Sequence, residues 1–302
     1  MLYKKNKFSL SRILMALGAR KFFNWMPDSL YLRMIFRVKF GYSLNLKNPQ
    51  TFSEKLQWLK LYDRNPLYTE LVDKYEVRKY IAETIGEEYL IPLLGVWDNV
   101  DEIDFAKLPN QFVLKNTHDS GSIVICKDKD SFDIKKAKKR LRKYLKRNPY
   151  WATREWPYKN IKPRIIAEEY KVDESKVELK DYKIFCFNGE PKYMQVDFDR
   201  YKDHKRNIYD ENWDFLDFEI KYPNDKMENI SRPRKYEEIL LLARKLSANI
   251  PHVRVDFYYI ENKEFTYILF GELTFYHGSG LEIFKPKEWD KKFGDLLELG
   301  VT

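Results

Sequence analysis

An alternating run near the C-terminal end constrains the fold of this chain more than any other stretch. Its apolar members are Val253, Val255 and Phe257, and the charged members between them are Arg254 and Asp256. Successive side chains of a β-strand point to opposite faces of the sheet. The alternation therefore predicts a half-buried strand with Arg254 and Asp256 on one side.

A second strand is predicted immediately downstream. Residues 265–273 are rich in β-branched and aromatic side chains, and Glu272 comes near their end. Two carboxylates on adjacent strands beside an arginine have the composition of a site for a hard cation that also handles an anion. The same residues also fit an Arg/Asp ladder on the protein surface, because cross-strand pairs of opposite charge are common in sheets.

The rest of the pattern predicts an α+β fold in which helices come first and antiparallel strands follow. Thr51 and Glu54 resemble a capping box at the start of one helix, and a second helix is predicted over residues 67–84, before Gly86. Further helices are predicted over residues 132–147 and 235–249. Strands are predicted over residues 112–115, 122–126, 164–170, 182–187 and 192–197, with a hairpin turn at Asn188 and Gly189.

The length of 302 residues allows two modest domains or one large domain with its own core. Cys126 and Cys186 both lie in apolar, strand-like runs, which predicts buried thiols in a reducing compartment rather than a disulfide. The apolar run 13–19 is flanked by Arg12 and Arg20 and is too short to span a bilayer. The sequence thus predicts a cytoplasmic protein.

The formal net charge of +9 predicts an anionic partner, which is a nucleotide, a nucleic acid, an acidic glycan or a membrane surface. Residues 1–41 mix basic side chains with apolar and aromatic ones at helical spacing. They fit either peripheral contact with an anionic membrane or an amphipathic helix packed on its own domain. Residues 132–147 are also very basic, but they offer few aromatic rings for base stacking, which favours a solvated helix over nucleic-acid binding.

Lys115 follows an apolar strand and precedes a loop of small residues. The loop contains Asp119, Ser120, Gly121 and Ser122. Backbone N–H groups of such a loop, together with an ammonium group, can converge on a phosphate. The pattern GxxxxGK[ST] is missing, so this is not a P-loop, and a plain hairpin loop is the alternative.

Two further strands carry charged residues at their ends. Glu168, Glu169 and Tyr170 end one apolar strand, and Asp181 and Lys183 open another. We expect the strand end at residues 168–170 to leave backbone groups available to a ligand. We expect the strand that opens at Asp181 to direct Lys183 toward the same anion as Lys115. Taken alone, each pattern is also typical of a solvated strand end.

In their order along the chain, these segments resemble the ATP-grasp superfamily, in which two α+β subdomains clamp ATP, and most closely the TupA-like ATP-grasp family. That family is associated with teichuronopeptide and bacterial surface-polysaccharide biosynthesis. The matching motifs are residues 51–56, 73–78, 112–115, 181–183 and 271–275. The resemblance implies a mainly helical region over 1–108, a small subdomain with the phosphate loop over 109–170 and a large subdomain with the metal site over 171–302.

The resemblance also implies nucleotide-binding roles. The implied phosphate-binding group consists of Lys115, Lys183 and the closing loop of Asp119, Ser120, Gly121 and Ser122. The implied adenine and ribose group consists of the hinge residues Glu168, Glu169 and Tyr170, and of Asp181. Arg254 is implied to steady the transferred phosphoryl group, with Lys183 beside it.

The implied Mg²⁺ ligands are Asp256, Glu272 and Thr274. Most ATP-grasp ligases have Asn where this chain has Thr274, and a hydroxyl is a weaker oxygen ligand, so the two carboxylates carry more of the binding. Gly278 and Gly280 suit a turn whose backbone N–H groups hold an acyl oxyanion. His277 is an alternative acid/base group or a structural residue.

The activity implied by the resemblance is ATP-dependent carboxylate–amine ligation through an acyl-phosphate. The predicted acceptor is a uronic-acid carboxylate of a surface polysaccharide, joined to an amino acid or amine, which suits the net charge of +9. The alternatives are a glycosyltransferase or phosphotransferase of the same pathway, and a nucleotide-binding module without turnover.

Overall fold

The computed structural model describes residues 9–172, 181–199, 203–228, 230–261 and 265–300. Helices dominate the first part of the chain. They are α1 (Leu10–Ala19), α2 (Asp28–Phe40), α3 (Phe52–Tyr62), α4 (Leu67–Val72) and α5 (Val77–Thr84). The prediction of a mainly helical N-terminal region is confirmed.

A four-stranded antiparallel sheet follows. Its strands are β1 (Leu93–Trp97), β2 (Phe112–Asn116), β3 (Val124–Cys126) and β4 (Ile165–Glu169), in the order β1-β4-β2-β3. Helix α6 (Ile134–Leu145) packs on β2 and β3 and buries Ala137 and Leu141, and α7 (Tyr150–Thr153) comes next. Strand β1 comes before residue 109, so the small sheet also uses a strand from the region 1–108.

A six-stranded antiparallel sheet forms the second half. Its strands are β5 (Asp181–Phe187), β6 (Glu190–Phe198), β7 (Lys205–Asp210), β8 (Phe215–Leu216), β10 (His252–Glu261) and β11 (Thr266–Thr274), in the order β11-β10-β5-β6-β7-β8. The remaining elements are β9 (Glu219–Ile220), its partner β12 (Phe284–Lys285), α8 (Tyr236–Ser247) and α9 (Glu288–Leu296). Helix α8 packs across β5, β6 and β10. The predicted α+β class is confirmed.

The capping box predicted at the start of α3 is present. Thr51 Oγ1 accepts a hydrogen bond from the N–H of Glu54, and Glu54 Oε2 accepts one from the N–H of Thr51, both at 3.2 Å. Asp290 Oδ1, on α9, accepts a third hydrogen bond from the N–H of Ser53 at 2.8 Å. N–H groups in the first turn of a helix have no partner inside the helix, so these bonds fix where α3 begins and hold it against α9.

The structure corrects one helix prediction: residues 67–84 form two helices, α4 and α5, rather than one. Asp73 Oδ1 accepts a hydrogen bond from the N–H of Tyr75 at 2.7 Å, a local bond of the kind that competes with helix continuation. The N–H of Lys74 bonds instead to the carbonyl oxygen of Thr117 at 3.0 Å. The break therefore directs Lys74 toward the loop that follows β2.

One apolar core joins the N-terminal helices to the large sheet. Phe52 and Leu56 of α3 and Ile81 of α5 belong to the same buried cluster as Ile184 of β5 and Val255 of β10. Burying an apolar side chain of this size contributes about 1.5–3 kcal/mol relative to leaving it exposed. The helical region is therefore part of the same folded body as the large sheet.

Candidate active site

The charged face of β10 is buried. Arg254 and Asp256 are only 8% and 3% exposed, while Val253, Val255 and Phe257 on the opposite face are fully buried. Strand β10 lies inside the sheet, between β11 and β5. The alternative of a ladder on the protein surface is therefore wrong, and buried charges at this place need partners.

The strand register supplies those partners. Asp256 lies opposite Glu272 of β11 on one side and opposite Lys183 of β5 on the other, and Arg254 lies opposite Thr274. Directly opposed side chains on one face of a sheet lie within contact distance. We call these five residues the charged cluster.

Arg254 is the centre of the charged cluster. Its Nε and Nη2 donate to the two carboxylate oxygens of Asp256, each at 2.7 Å, and Nη2 also donates to Thr274 Oγ1 at 3.3 Å. Nη2 lies 3.7 Å from Glu272 Oε1. Burial opposes the charge of Arg254, but Asp256 overrides it and the pKa of Arg254 is raised above its ordinary value. The guanidinium thus bridges all three predicted metal ligands.

Lys183 is the second cation of the cluster. Its Nζ donates to Asp256 Oδ2 at 2.8 Å and to Asp181 Oδ2 at 2.9 Å. Burial opposes the ammonium charge, but the two carboxylates more than offset it, and the pKa of Lys183 is raised. Asp256 therefore accepts hydrogen bonds from two buried cations.

The oxygen atoms of Asp256, Glu272 and Thr274 fit a Mg²⁺ site in their chemistry, because hard cations prefer oxygen ligands. Asp256 accepts three hydrogen bonds, and a carboxylate offers about four lone-pair sites, so acceptor capacity remains. The side chain of Glu272 is 42% exposed. In the described ranges no group of three or more His, Cys, Asp or Glu side chains forms a metal site. An ion here would depend on two carboxylates, one hydroxyl and oxygens from a ligand.

A cleft separates the small and large sheets, and Lys115 lies in it. Lys115 Nζ donates to Glu168 Oε2 at 2.6 Å, and Arg78 Nη1 donates to Glu168 Oε1 at 3.3 Å. Strand β4 brings Glu168 next to β2 because the two strands pair in the small sheet. The polar residues of the cleft lining are Lys74, Arg78, Lys115, Asp119, Ser120, Tyr158, Glu168 and Glu272. Glu272 is thus the residue that joins the cleft to the charged cluster.

The loop after β2 is held by its own side chains. Ser122 Oγ donates to Asp119 Oδ1 at 2.5 Å and accepts from the N–H of Asn116 at 3.0 Å. Gly121 has a φ of +92°, a left-handed conformation that favours glycine. Ser120 and Gly121 form the exposed tip of the loop. The structure therefore gives Asp119 and Ser122 a shaping role, and Arg140 Nη2 anchors the tip by donating to the carbonyl oxygen of Gly121 at 2.8 Å.

The cleft is narrow. Its free volume is about 30 Å³, which holds about two water molecules. The cleft is thus smaller than the pockets of about 300–1,000 Å³ that usually hold small ligands.

Lys115 and the loop after it lie across the cleft from Glu272 of the charged cluster. Each of these features contains residues that the sequence analysis had singled out. A comparison with protein families matches residues 54–298 to the family described as TupA-like ATP-grasp. The chain belongs to the TupA-like ATP-grasp family. It is therefore a member of the superfamily of ATP-grasp ligases, and the predicted resemblance is confirmed.

Solved structures of several ATP-grasp proteins are similar to this chain. D-alanine–D-alanine ligase from Bacillus anthracis, complexed with ATP, is 15% identical with a TM-score of 0.38, over 68% of this chain and 55% of that chain. D-alanine–D-alanine ligase from Helicobacter pylori is 14% identical with a TM-score of 0.41, over 83% of this chain and 68% of that chain. L-amino acid ligase from Bacillus licheniformis is 12% identical with a TM-score of 0.40, over 85% of this chain and 57% of that chain. This chain thus spans little more than half the length of the first of these ligases. A comparison with curated proteins found no match.

Within this TupA-like ATP-grasp chain, the predicted hinge is only partly in the cleft. Glu168 lines the cleft, whereas Glu169 and Tyr170 lie outside its lining. The N–H of Glu169 bonds to the carbonyl oxygen of Pro92, and its carboxylate accepts from Lys171 Nζ at 2.6 Å. Adenine recognition by this strand end stays a prediction.

The predicted ribose contact, Asp181, also lies outside the cleft lining. It opens β5, lies opposite Asp197 of β6 and accepts the bond from Lys183 described above. The structure therefore associates Asp181 with the charged cluster, and its contact with a nucleotide stays a prediction.

The glycine turn predicted to hold an oxyanion is positioned by α3. Gly278, Ser279 and Gly280 all have φ between +55° and +60°. A Cβ atom on Gly280 would lie 2.9 Å from Leu56 Cβ, so only glycine fits there. Gln57 Nε2 donates to the carbonyl oxygens of Ser279 and Gly280 at 3.1 and 3.0 Å. Helix α3 therefore holds the turn from its carbonyl side, and the oxyanion role stays a prediction.

His277 is placed as a structural residue. It is 2% exposed, stacks on Phe52 and lies 3.1 Å from Glu282 Oε2 through its Nε2. Burial lowers the pKa of His277, which Glu282 opposes. The structure favours the structural interpretation over the acid/base alternative.

Sequence reasoning assigned no site role to three residues of the cleft, Lys74, Arg78 and Tyr158, although residues 73–78 were among the matching motifs. Lys74 Nζ donates to the carbonyl oxygen of Asp119, and burial lowers the pKa of Lys74, with Glu272 and Asp119 opposing this shift. A signal for Lys74 was available, because the preceding Asp73 is a residue type that interrupts helices. Arg78 is the second residue of α5, and its side chain lines the same cleft.

Proposed function

We propose that this chain is an ATP-dependent carboxylate–amine ligase that amidates a uronic-acid carboxylate of a bacterial surface polysaccharide with an amino acid or amine. The observation that carries the ligase proposal is the buried pair Lys183 and Arg254 around Asp256, which meets a lysine-lined cleft at Glu272 in a chain of the ATP-grasp family. The net charge of +9 supports an acidic acceptor.

In this proposal the two sides of the cleft share the phosphates of ATP. Lys115 binds them from the small sheet and Lys74 from the turn between α4 and α5. Lys183 and Arg254 bind the transferred phosphoryl group from the large sheet. Fixed positive charges in a site with little water stabilise negative charge that builds up during the reaction. Mg²⁺, when bound at Asp256 and Glu272, supplies further neutralisation of the phosphates.

The proposed reaction has two steps. An oxygen of the acceptor carboxylate attacks the γ-phosphorus, which forms an acyl-phosphate and releases ADP. The amine nitrogen then attacks the acyl carbon, phosphate leaves and the nitrogen loses a proton. Backbone N–H groups of the turn at Gly278 and Gly280 are proposed to hold the oxyanion of the second step. Catalysis of this kind depends mostly on positioning and charge neutralisation.

The test is ADP release from ATP and Mg²⁺ with glucuronate or galacturonate and a panel of amino acids and simple amines. We expect sustained ADP release, beyond one equivalent per enzyme, only when acceptor and amine are both present, and a product whose mass is their sum less one water. ADP with a phosphorylated sugar and no amide would indicate the phosphotransferase, and consumption of a sugar nucleotide would indicate the glycosyltransferase. Tight binding of ATP, with no ADP release in the presence of any acceptor, would indicate a nucleotide-binding module without turnover.

We further propose peripheral membrane contact through the N-terminal helices. The large apolar side chains exposed there are Leu10, Ile13, Phe22, Trp25 and Leu30, of which Trp25 is 73% exposed. Arg20 and Lys21 lie between them in the sequence, and an apolar patch beside cations fits an anionic bilayer surface. Within the part of the chain that the structure describes, no helix is long and apolar enough to cross a membrane.

Sedimentation with vesicles tests this contact. The wild type should sediment with phosphatidylglycerol vesicles more than with phosphatidylcholine vesicles, and the double variant Phe22→Ser, Trp25→Ser should lose most of the difference. Met227→Ser is the control, because Met227 is 92% exposed and lies outside the N-terminal helices. Equal sedimentation of wild type and double variant contradicts the proposal.

A cytoplasmic location is part of the same proposal. Cys126 and Cys186 are both free and buried, which suits a reducing compartment. The proposed use of ATP also requires a compartment that contains it.

A further inference from the structure

A second cavity lies between the N-terminal helices and the large subdomain. Its volume is about 670 Å³, within the range of about 300–1,000 Å³ usual for ligand pockets. Its charged lining residues are Arg12, Lys39, Glu219, Lys221, Glu282 and Lys285. We call it the basic cavity, and it is wide enough for a short oligosaccharide.

The basic cavity has a surplus of positive charge, because four basic side chains face two acidic ones. Lys221 Nζ lies 3.0 Å from Glu282 Oε1, and Lys285 Nζ lies 3.4 Å from Glu219 Oε2. Both carboxylates of the cavity therefore already have a cation of their own.

Arg12 and Lys39 are the cations left over. Neither has a carboxylate within ion-pair distance among the described residues, and Lys39 is partly buried. Burial lowers the pKa of Lys39, and Arg12 lowers it further, with Glu282 opposing. Two cations that share a cavity and have no carboxylate within ion-pair distance favour a ligand that carries negative charge.

The basic cavity adjoins the proposed reaction centre. Gly278 and Ser279 belong to its lining, so it opens directly onto the glycine turn. Glu282 also lies 3.7 Å from Arg206 Nη1, and Arg206 Nε donates to Asp197 Oδ1 at 2.7 Å.

Asp197 in turn lies opposite Asp181 in the sheet, and Asp181 binds Lys183. Charged side chains of β5, β6 and β7 thus lie between the basic cavity and the charged cluster.

We propose that the basic cavity binds the acceptor as a carboxylated oligosaccharide, with one carboxylate at Arg12 and Lys39 and the reacting carboxylate at the turn of Gly278 and Gly280. This inference rests on the proposed function and deepens it, because it assigns recognition of the acceptor to α1 and α2. A neutral sugar offers the two cations no charged partner, whereas a carboxylate forms charge-assisted hydrogen bonds with them.

Calorimetric titration with trigalacturonate tests the assignment, with maltotriose as the neutral sugar and inorganic phosphate as the small anion. Wild-type protein should bind trigalacturonate, and more weakly as salt rises, whereas maltotriose should not bind. The double variant Arg12→Gln, Lys39→Gln should bind trigalacturonate at least tenfold more weakly. The matched control is Lys127→Gln, Lys245→Gln, which removes two exposed cations far from the cavity lining and should bind as the wild type does. ATP affinity should be the same in all three proteins.

The outcomes separate this proposal from the ligase proposal. Four results would each overturn the cavity assignment, whether or not ADP is released. They are unchanged trigalacturonate affinity in the Arg12 and Lys39 variant, no trigalacturonate binding to the wild type, equal binding of maltotriose, and full displacement of trigalacturonate by equimolar phosphate. If the double variant binds trigalacturonate tenfold more weakly but no amine leads to ADP release, the cavity assignment holds and the ligase proposal is rejected. If both proposals hold, the double variant raises the KM for the uronic acceptor about tenfold and leaves the KM for ATP unchanged.

Discussion

Asp256→Asn is expected to lower the rate of ADP formation by about 10²- to 10³-fold, the usual effect of removing one preorganised electrostatic partner. Asparagine keeps the shape of the side chain but removes its charge, so the bonds from Arg254 and Lys183 become weaker. The proposed Mg²⁺ site also loses one of its two carboxylates. Steady-state ADP release over a series of Mg²⁺ concentrations measures both effects, and the half-maximal Mg²⁺ concentration should rise.

The control for this change is Asp295→Asn, which removes an equal charge from a 57% exposed side chain on α9. Breaking a buried ion pair from one side costs about 3–5 kcal/mol, so the free energy of unfolding must be measured on the same samples. A folded Asp256→Asn protein with wild-type ADP release and wild-type Mg²⁺ dependence would show that the metal and phosphoryl assignments are wrong.

Lys183→Met is expected to weaken ATP binding at least about tenfold, since one charge-assisted contact to phosphate is lost, and to lower the free energy of unfolding by about 3–5 kcal/mol. The lysine bonds to Asp181 at 2.9 Å and to Asp256 at 2.8 Å, so its removal leaves two buried carboxylates without the cation they share. Calorimetric titration with ATP and chemical denaturation measure the two effects.

The pH dependence of the stability loss provides a further check. The pKa of Lys183 is raised in the folded state above its unfolded value of 10.5. Its stabilising contribution is therefore complete below pH 10.5 and is lost only as pH rises through the folded pKa. The deficit of Lys183→Met should be constant between roughly pH 6 and 9. Lys192→Met on β6 is the matched control, because that lysine is 37% exposed and lies 3.8 Å from its partner Glu211. If both variants bind ATP as the wild type does, the phosphate role of Lys183 is rejected.

The alternation around Arg254 and Asp256 was sufficient to predict that their side chains share one face. It also placed Asp256 and Glu272 on adjacent strands, whereas their direct opposition is a feature of the observed register. The position of Lys183 opposite Asp256 could not be predicted in the same way. Strand β5 precedes β10 by more than sixty residues, and strand order in a sheet depends on long-range packing rather than on local pattern.

Two features of the structure were not predicted from the sequence: the burial of the charged face of β10, and the division of the helix predicted over residues 67–84. A strand with alternating polar and apolar residues is expected to expose one face to solvent. Strand β10 instead lies inside its sheet, and Arg254 is buried with Asp256. Periodicity suggested one helix over residues 67–84, whereas a hydrogen bond of Asp73 to nearby backbone divides it. Lys74 reaches the cleft only because of that division, so the cleft could be predicted from Lys115 and its loop but not in full.

The division at Asp73 has a consequence for how the chain can be engineered. Lys74 contacts the loop after β2 twice, through its N–H to Thr117 and through its ammonium group to Asp119. The small sheet also takes β1 from the same part of the chain. A fragment that starts at residue 109 would therefore lack an edge strand and the two contacts that Lys74 makes with the loop. The N-terminal region is therefore an internal scaffold of the proposed nucleotide site, and a minimal fragment of this protein has to retain it.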